Sequence, residues 1–213
     1  MQNDSPDRRT RKRLATRQTI SDVATRLFMA RGFDRVTIDE IAEAADVGRM
    51  TVFNHFPRKE DMFFDREQEA HDLAFHAVRS RAPGTSPIEA LAALARDLVA
   101  KPSDAFPLFA ETRAFVETSL ASEALKARAR QMRDDFVRAL AGVLAGDAGR
   151  PADDHDAYLA AGLITATWTI AFVRAHASLI ETGNAEGAKS IFLALIDRGT
   201  SGTRAALSGT PYA

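Results

Sequence analysis

Arg49, Met50, Thr51 and Asn54 are the residues whose types and spacing point to a chemistry. They combine hydrogen-bonding groups with an apolar tip on the outward side of one short helix, a set that suits the edges of bases in a DNA major groove. Catalytic arrangements are not legible. His71 and His76 stand five apart, so they do not share a helix face as a metal pair at i, i+4 would. Asp153-Asp154-His155-Asp156 opens a helix, where acids favour the dipole. No Gly-rich phosphate loop, Ser-centred elbow or spaced carboxylate pair is present. The chain has no cysteine, which removes disulfides and Cys-based metal sites. The expectation is a protein that is no enzyme and takes neither cofactor nor metal.

The elements that must position those four residues lie in Thr37–Phe56, which reads as two short helices joined by a tight turn. Thr37 and Glu40 form a capping box at the first helix. Ile38, Ile41, Ala42 and Ala45 give that helix its apolar face. Asp46-Val47-Gly48 breaks it, with Gly48 free to take a turn geometry. A second helix, Arg49 to His55, turns Val52 and Phe56 to the core. An earlier helix repeats Ile20, Val23, Ala24, Leu27 and Phe28 at helical spacing, stops at Gly32 and packs Phe33 back. Six basic and no acidic residues lie between Arg8 and Arg17, a basic arm suited to phosphate contact or to the minor groove.

Gly32-Phe33, Thr37-Ile38-x-x-Ile41-Ala42-x-x-Ala45-x-Val47 and Thr51-Val52-Phe53-x-His55-Phe56-x-x-Lys59-Glu60 together resemble the DNA-binding region of the tetracycline-repressor (TetR) family of bacterial regulators. The resemblance covers roughly residues 15 to 63. It implies that Thr37 contacts phosphate while capping its helix, and that Arg49, Met50 and Thr51 meet base edges, with Asn54 on the same outer side. His55 and Lys59 would grip the backbone. Phe53 stands where the family usually has Tyr, so only van der Waals contact with a phosphate remains there. Gly48 replaces a common Ser cap, at a cost of about a few tenths of a kcal/mol. Arg58 stands where Ser is common.

Charge is divided unevenly. Residues 1–60 hold 12 Lys and Arg against 9 Asp and Glu, net +3; residues 61–213 hold 16 against 20, net −4. A basic front on an acidic body points to nucleic acid. The first residues are too charged for a secretory signal, and no apolar run reads as long enough to span a bilayer. A cytoplasmic protein with no membrane partner is expected.

The fold class expected is all-α: a helix-turn-helix domain with its basic arm at 1–58, then a helical effector-binding and dimerisation domain at 59–213. One helix is expected from Lys59 to about Arg81. Ser86-Pro87-Ile88-Glu89 starts another, which turns Ile88, Leu91, Ala95 and Leu98 inward. Further helices are read at Asp104–Ser119, Ser122 to about Ala145, Asp153–Thr182, and from Gly183-Asn184 to about Arg198. The end, Gly199–Ala213, reads as loose.

The long helix carries two apolar stripes. Leu159, Leu163, Ala166, Ile170, Val173 and Ala177 step by four and three, a seam that packs on another helix; Ala161, Ile164, Trp168, Phe172, Ala175 and Leu179 form the other. A helix apolar around most of its circumference must be buried on two sides. With Ile191 and Leu195 of the last helix, the first stripe is expected to form a four-helix bundle between two subunits, an arrangement the resemblance also implies. The resemblance further implies a ligand cavity in the body. Phe109, Arg113, Phe136, Trp168, Phe172 and His176 are its expected lining for a small, largely apolar or aromatic effector, although aromatic clusters more often form core. The functional expectation is a homodimeric regulator of double-stranded operator DNA, a repressor released by such an effector. The alternative is an architectural or ligand-independent DNA-binding protein.

Overall fold

The computed structural model describes residues 7–101 and 112–213. Ten α-helices and one 3-10 turn form among the described residues, and no strand does. They are α1 (Arg8–Arg31), α2 (Ile38–Ala44), α3 (Arg49–His55), α4 (Glu60–Phe63), α5 (Glu67–Arg79), α6 (Pro87–Ala100), α7 (Arg113–Ala121), α8 (Glu123–Asp147), α9 (His155–Thr182) and α10 (Ala185–Ala206). Packing divides the chain into two units. Residues 1–65 and 117–128 make the first; residues 66–116 and 129–213 make the second. The boundary read at residue 58 therefore lies at Asp65, and a later segment joins the first unit.

In the first unit, Ile20, Val23, Ala24 and Phe28 of α1 meet Phe33, Val36, Ile41, Val52, Phe56, Met62 and Phe63 in the core. Burying each large side chain contributes about 1.5–3 kcal/mol. Phe28, Phe33 and Phe63 close the centre, their ring centroids 4.9 to 6.2 Å apart. Residues 117–128 belong here through specific polar contacts. The Ser122 hydroxyl donates to Asp34 Oδ1 at 2.7 Å, and Arg128 Nε donates to Asp61 Oδ1 at 3.0 Å.

Two local readings change. The basic run is no arm: Arg8 to Arg17 is the first part of α1, with the Asp7 carboxylate capping it by accepting from the Thr10 N–H at 2.6 Å. Arg, Lys, Leu and Ala are good helix formers, and no Gly or Pro interrupts the run. The single helix expected from Lys59 to Arg81 is two, α4 and α5, broken at residues 64–66. The Asp65 carboxylate accepts from the Ser21 hydroxyl, which ties the break to α1.

In the second unit, α9 packs on α10, with α6 against α10 and α5 against α6. Leu91, Ile88, Ala160, Ala161 and Ile164 share one cluster with Leu140 and Leu144 of α8; Ala95, Leu98, Ala171, Ala175 and Phe192 form another. Ser86 caps α6 with Glu89 in a complete capping box and Pro at the first turn.

The end of the chain departs from expectation. α10 runs to Ala206 instead of Arg198, and beyond it Leu207 and Tyr212 are fully buried. The Tyr212 hydroxyl donates to Asp154 Oδ1 at 3.1 Å. Glycine makes the extension fit: a Cβ on Gly199 would lie 2.2 Å from Thr167 Cγ2. α9 and α10 approach that closely because Gly199 has no side chain. α9 is also long and apolar enough, by length and composition, to cross a membrane, against the expectation that no such run exists. One of its stripes is packed inside its own unit, as in a core helix.

Candidate nucleic-acid interface

The interface is built from the turn between α2 and α3. Thr37 Oγ1 accepts from the Glu40 N–H while the Glu40 carboxylate accepts from the Thr37 N–H, a complete capping box at α2. The Thr37 N–H, then Arg31, then the Thr37 hydroxyl hold the Glu40 carboxyl down to about 2. Asp46 takes the left-handed turn conformation with φ 52°, while Gly48 is extended at φ −72° and serves as the α3 N-cap, the place read for it in the sequence. Asp is among the few residues that enter that region readily.

Val52 and Phe56 anchor α3 inward. Arg49, Met50 and Asn54 are exposed and Thr51 is half-buried; Met50, at 69% exposure, is a large apolar side chain standing in solvent. Arg49 Nη1 donates to both Asp39 oxygens, at 3.0 and 2.9 Å, and its guanidinium lies 5.6 Å from the Phe53 ring centroid. At the far end of α3, Arg17 Nη1 donates to the His55 carbonyl at 2.5 Å and stacks 3.9 Å over Phe56. Burial, then the positive charges of Arg13 and Arg17, push the His55 imidazole below its usual value. This end of the helix is therefore a place where cations gather.

A capped two-helix turn with a polar outward helix, beside a basic α1, is the arrangement that enters a major groove. Residues 20–65 match the family model described as "Bacterial regulatory proteins, tetR family". Over these residues the chain is similar to that family. It is 30% identical over 101 residues to the HTH-type transcriptional regulator TcmR of Streptomyces glaucescens, a match covering 47% of this chain and 45% of that one. The chain thus spans less than half the length of that curated relative. In fold it is similar to the TetR-family repressor FadR of Thermus thermophilus, solved with lauroyl-CoA, at 23% identity and TM-score 0.56, covering 88% of this chain and 92% of that one. It is similar also to SmeT in its triclosan complex, at 20% identity and TM-score 0.56, covering 90% and 91%. At these identities the likeness is one of fold.

The expected DNA-facing residues divide. Thr37, Arg49, Met50, Thr51, Phe53, Asn54 and His55 keep some or all of their surface. Lys59 is placed differently: its Nζ donates to the Phe33 carbonyl at 2.6 Å and sits 4.2 Å over the Phe33 ring. Burial pushes its ammonium below the usual lysine value. Its ammonium is spent on tying the start of α4 to the turn after α1. Sequence reasoning missed Asp39 and its grip on Arg49. An acid in the first turn of a helix reads as a dipole partner, and nothing local announces a contact ten residues away.

Five of the six expected pocket residues take different places among the described residues. Phe109 lies outside the described residues. Arg113 is exposed. Phe136 stacks 5.9 Å from Phe75 with planes 10° apart and lies 4.7 Å from His71, whose imidazole burial pushes below its usual value. Trp168 meets Phe192 edge-on at 6.0 Å. Phe172 and His176 are 4.0 Å apart. Phe136 and Trp168 pack against one apolar cluster, and Trp168 and Phe172 against the other. Among the described residues, a crevice open to solvent lies between α6, α9 and α10, with Trp168 and the Thr167, Thr200 and Thr203 side chains on its wall.

His176 is buried and bonded at both nitrogens. Nδ1 lies 2.9 Å from the Phe172 carbonyl, which can only accept, so Nδ1 carries the proton. Nε2 then accepts from the Thr112 hydroxyl at 3.0 Å. Burial pushes the ring below its usual value, in keeping with this neutral form.

Proposed function

We propose that this chain is a homodimeric transcription regulator of the cytoplasm, a repressor that binds operator DNA through α3 and leaves it when a small, largely apolar or aromatic molecule binds the second unit. The outward face of α3 carries the reading: Arg49, Met50, Thr51 and Asn54 project from a helix whose inner face is locked by Val52 and Phe56. Two-fold symmetry is supported by the outer stripe of α9. Leu159, Ile170 and Val173 are about half exposed there, and Ala166 and Ala177 stand beside them. A row of this kind on a long helix suits a second copy of itself. Ile191 and Leu195 of α10 are half-buried and extend the same proposal. Two α3 helices about 34–36 Å apart would enter successive major grooves. A ligand that favours a different spacing weakens DNA binding by linkage. Triclosan and the lauroyl chain of lauroyl-CoA, held by the two solved neighbours, support a ligand with a large apolar part.

Selection of bound sequences from a random duplex library by the full chain tests the first half, with a palindromic consensus expected. Mass spectrometry of molecules that co-purify, followed by their addition to the complex, tests the second. Binding without sequence preference would overturn the regulator reading. A consensus that no co-purifying or apolar aromatic compound displaces would leave a regulator without ligand release.

A further inference from the structure

Arg49 is the one long cation at the start of α3, and its direction is set from outside that helix. Asp39 reaches across the turn from α2 and engages Nη1 with both of its oxygens. The Phe53 ring lies on the guanidinium's other flank. Both Arg49 and Asp39 are exposed, at 58% and 66% of their side chains, so as a stabilising ion pair the contact contributes little. Its value is geometric. A guanidinium presents five N–H groups in a fixed plane. With Nη1 occupied by Asp39, the neighbouring Nε–Nη2 edge remains, and that edge fits two acceptors side by side. Guanine offers such a pair in the major groove, O6 and N7.

We propose that Asp39 is a specificity-determining residue: it holds Arg49 so that the Nε–Nη2 edge reads one guanine of the operator. This rests on the reading of α3 as the DNA-reading helix. A free arginine on a helix surface also reaches phosphates and other bases; one held at Nη1 has fewer ways to bind. The carboxylate itself adds a repulsive charge beside the phosphates, so its presence lowers affinity for all sequences while raising discrimination between them.

Sequence selection and titration with the full chain separate these roles, using wild type, Arg49→Ala, Asp39→Ala and Asp39→Asn. Arg49→Ala is expected to lose the guanine preference at one operator position by about tenfold, in the range of one bidentate contact. Asp39→Ala should lose that preference at the same position, with affinity for random duplex equal or higher. Asp39→Asn keeps one acceptor oxygen and should retain part of the preference. If Asp39→Ala raises affinity for all sequences and keeps the guanine preference, Asp39 acts by charge alone and the proposal fails. Loss at a different position would mean that Asp39 contacts a base directly, which also overturns it. If wild type selects no sequence, the regulator reading itself falls, a result distinct from the other two. Thermal melts of the variants establish folding first.

Discussion

The two units leave opposite things on their surfaces. In the first, short helices are ordered by caps and polar ties. α3 has only seven residues, too few to be stable alone. Its geometry comes from Val52 and Phe56 inside, from Arg17 on the His55 carbonyl, and from Asp39 on Arg49. The surface left over is mostly polar. In the second, long helices are ordered by close apolar packing, with Gly199 pressed against Thr167, and the surface left over on α9 is apolar. One surface has the composition for a charged, hydrated partner and the other for a copy of itself. Both units have apolar cores, and the first adds hydrogen bonds where its outside must stay polar.

The largest effect that would break this comparison lies on α9. Leu159→Glu with Ile170→Glu places charges at two exposed positions, so each subunit should fold normally. Across a two-fold interface the same charges meet without partners. Light scattering should then report a monomer, with operator affinity lost by two orders of magnitude or more; a dimer of unchanged mass would place the interface elsewhere.

Next in size is the packing of α9 on α10. Gly199→Ala forces a Cβ into Thr167 and should destabilise the second unit by about 1–3 kcal/mol, as overpacking does. Thr167→Ala in the same chain should restore part of it, because the Thr167 Cβ would still lie 2.8 Å from the new one. Equal denaturant midpoints for wild type and Gly199→Ala would show that the helices part at no cost.

The smallest effect concerns the Glu40 capping box. Its folded-state value is held near 2, below the 4.5 of a free glutamate. A carboxyl lowered on folding contributes stability above its unfolded value and loses it as pH falls through the folded one. Wild type should therefore exceed Glu40→Gln in melting temperature at pH 7, and the gap should close between pH 4.5 and pH 2. A gap that does not change with pH would mean that the neutral amide caps α2 as well as the carboxylate.

Much of the first unit was legible because its signals are local. Thr37 and Glu40 are three apart, Gly32 and Phe33 adjoin the helix they end, and Val52 and Phe56 share a helix face. What was not legible depends on distant partners. Lys59 reads as a free cation until the Phe33 carbonyl and ring, 26 residues away, are placed beside it. The break between α4 and α5 is tied to Ser21, and the inclusion of residues 117–128 in the first unit to Asp34 and Asp61. Gly199 and Gly202 read as punctuation in a loose tail, yet the tail is ordered by Thr167 and Asp154, which no local pattern couples to it.

The inward anchoring of α3 bears on how such a chain diverges. Val52 and Phe56 carry the folding of that helix, while positions 49, 50 and 54 face outward, leaving the core undisturbed. A lineage can exchange those outer side chains one at a time with little risk to the protein's abundance. Duplicated copies could then change what that face meets while their cores stay the same.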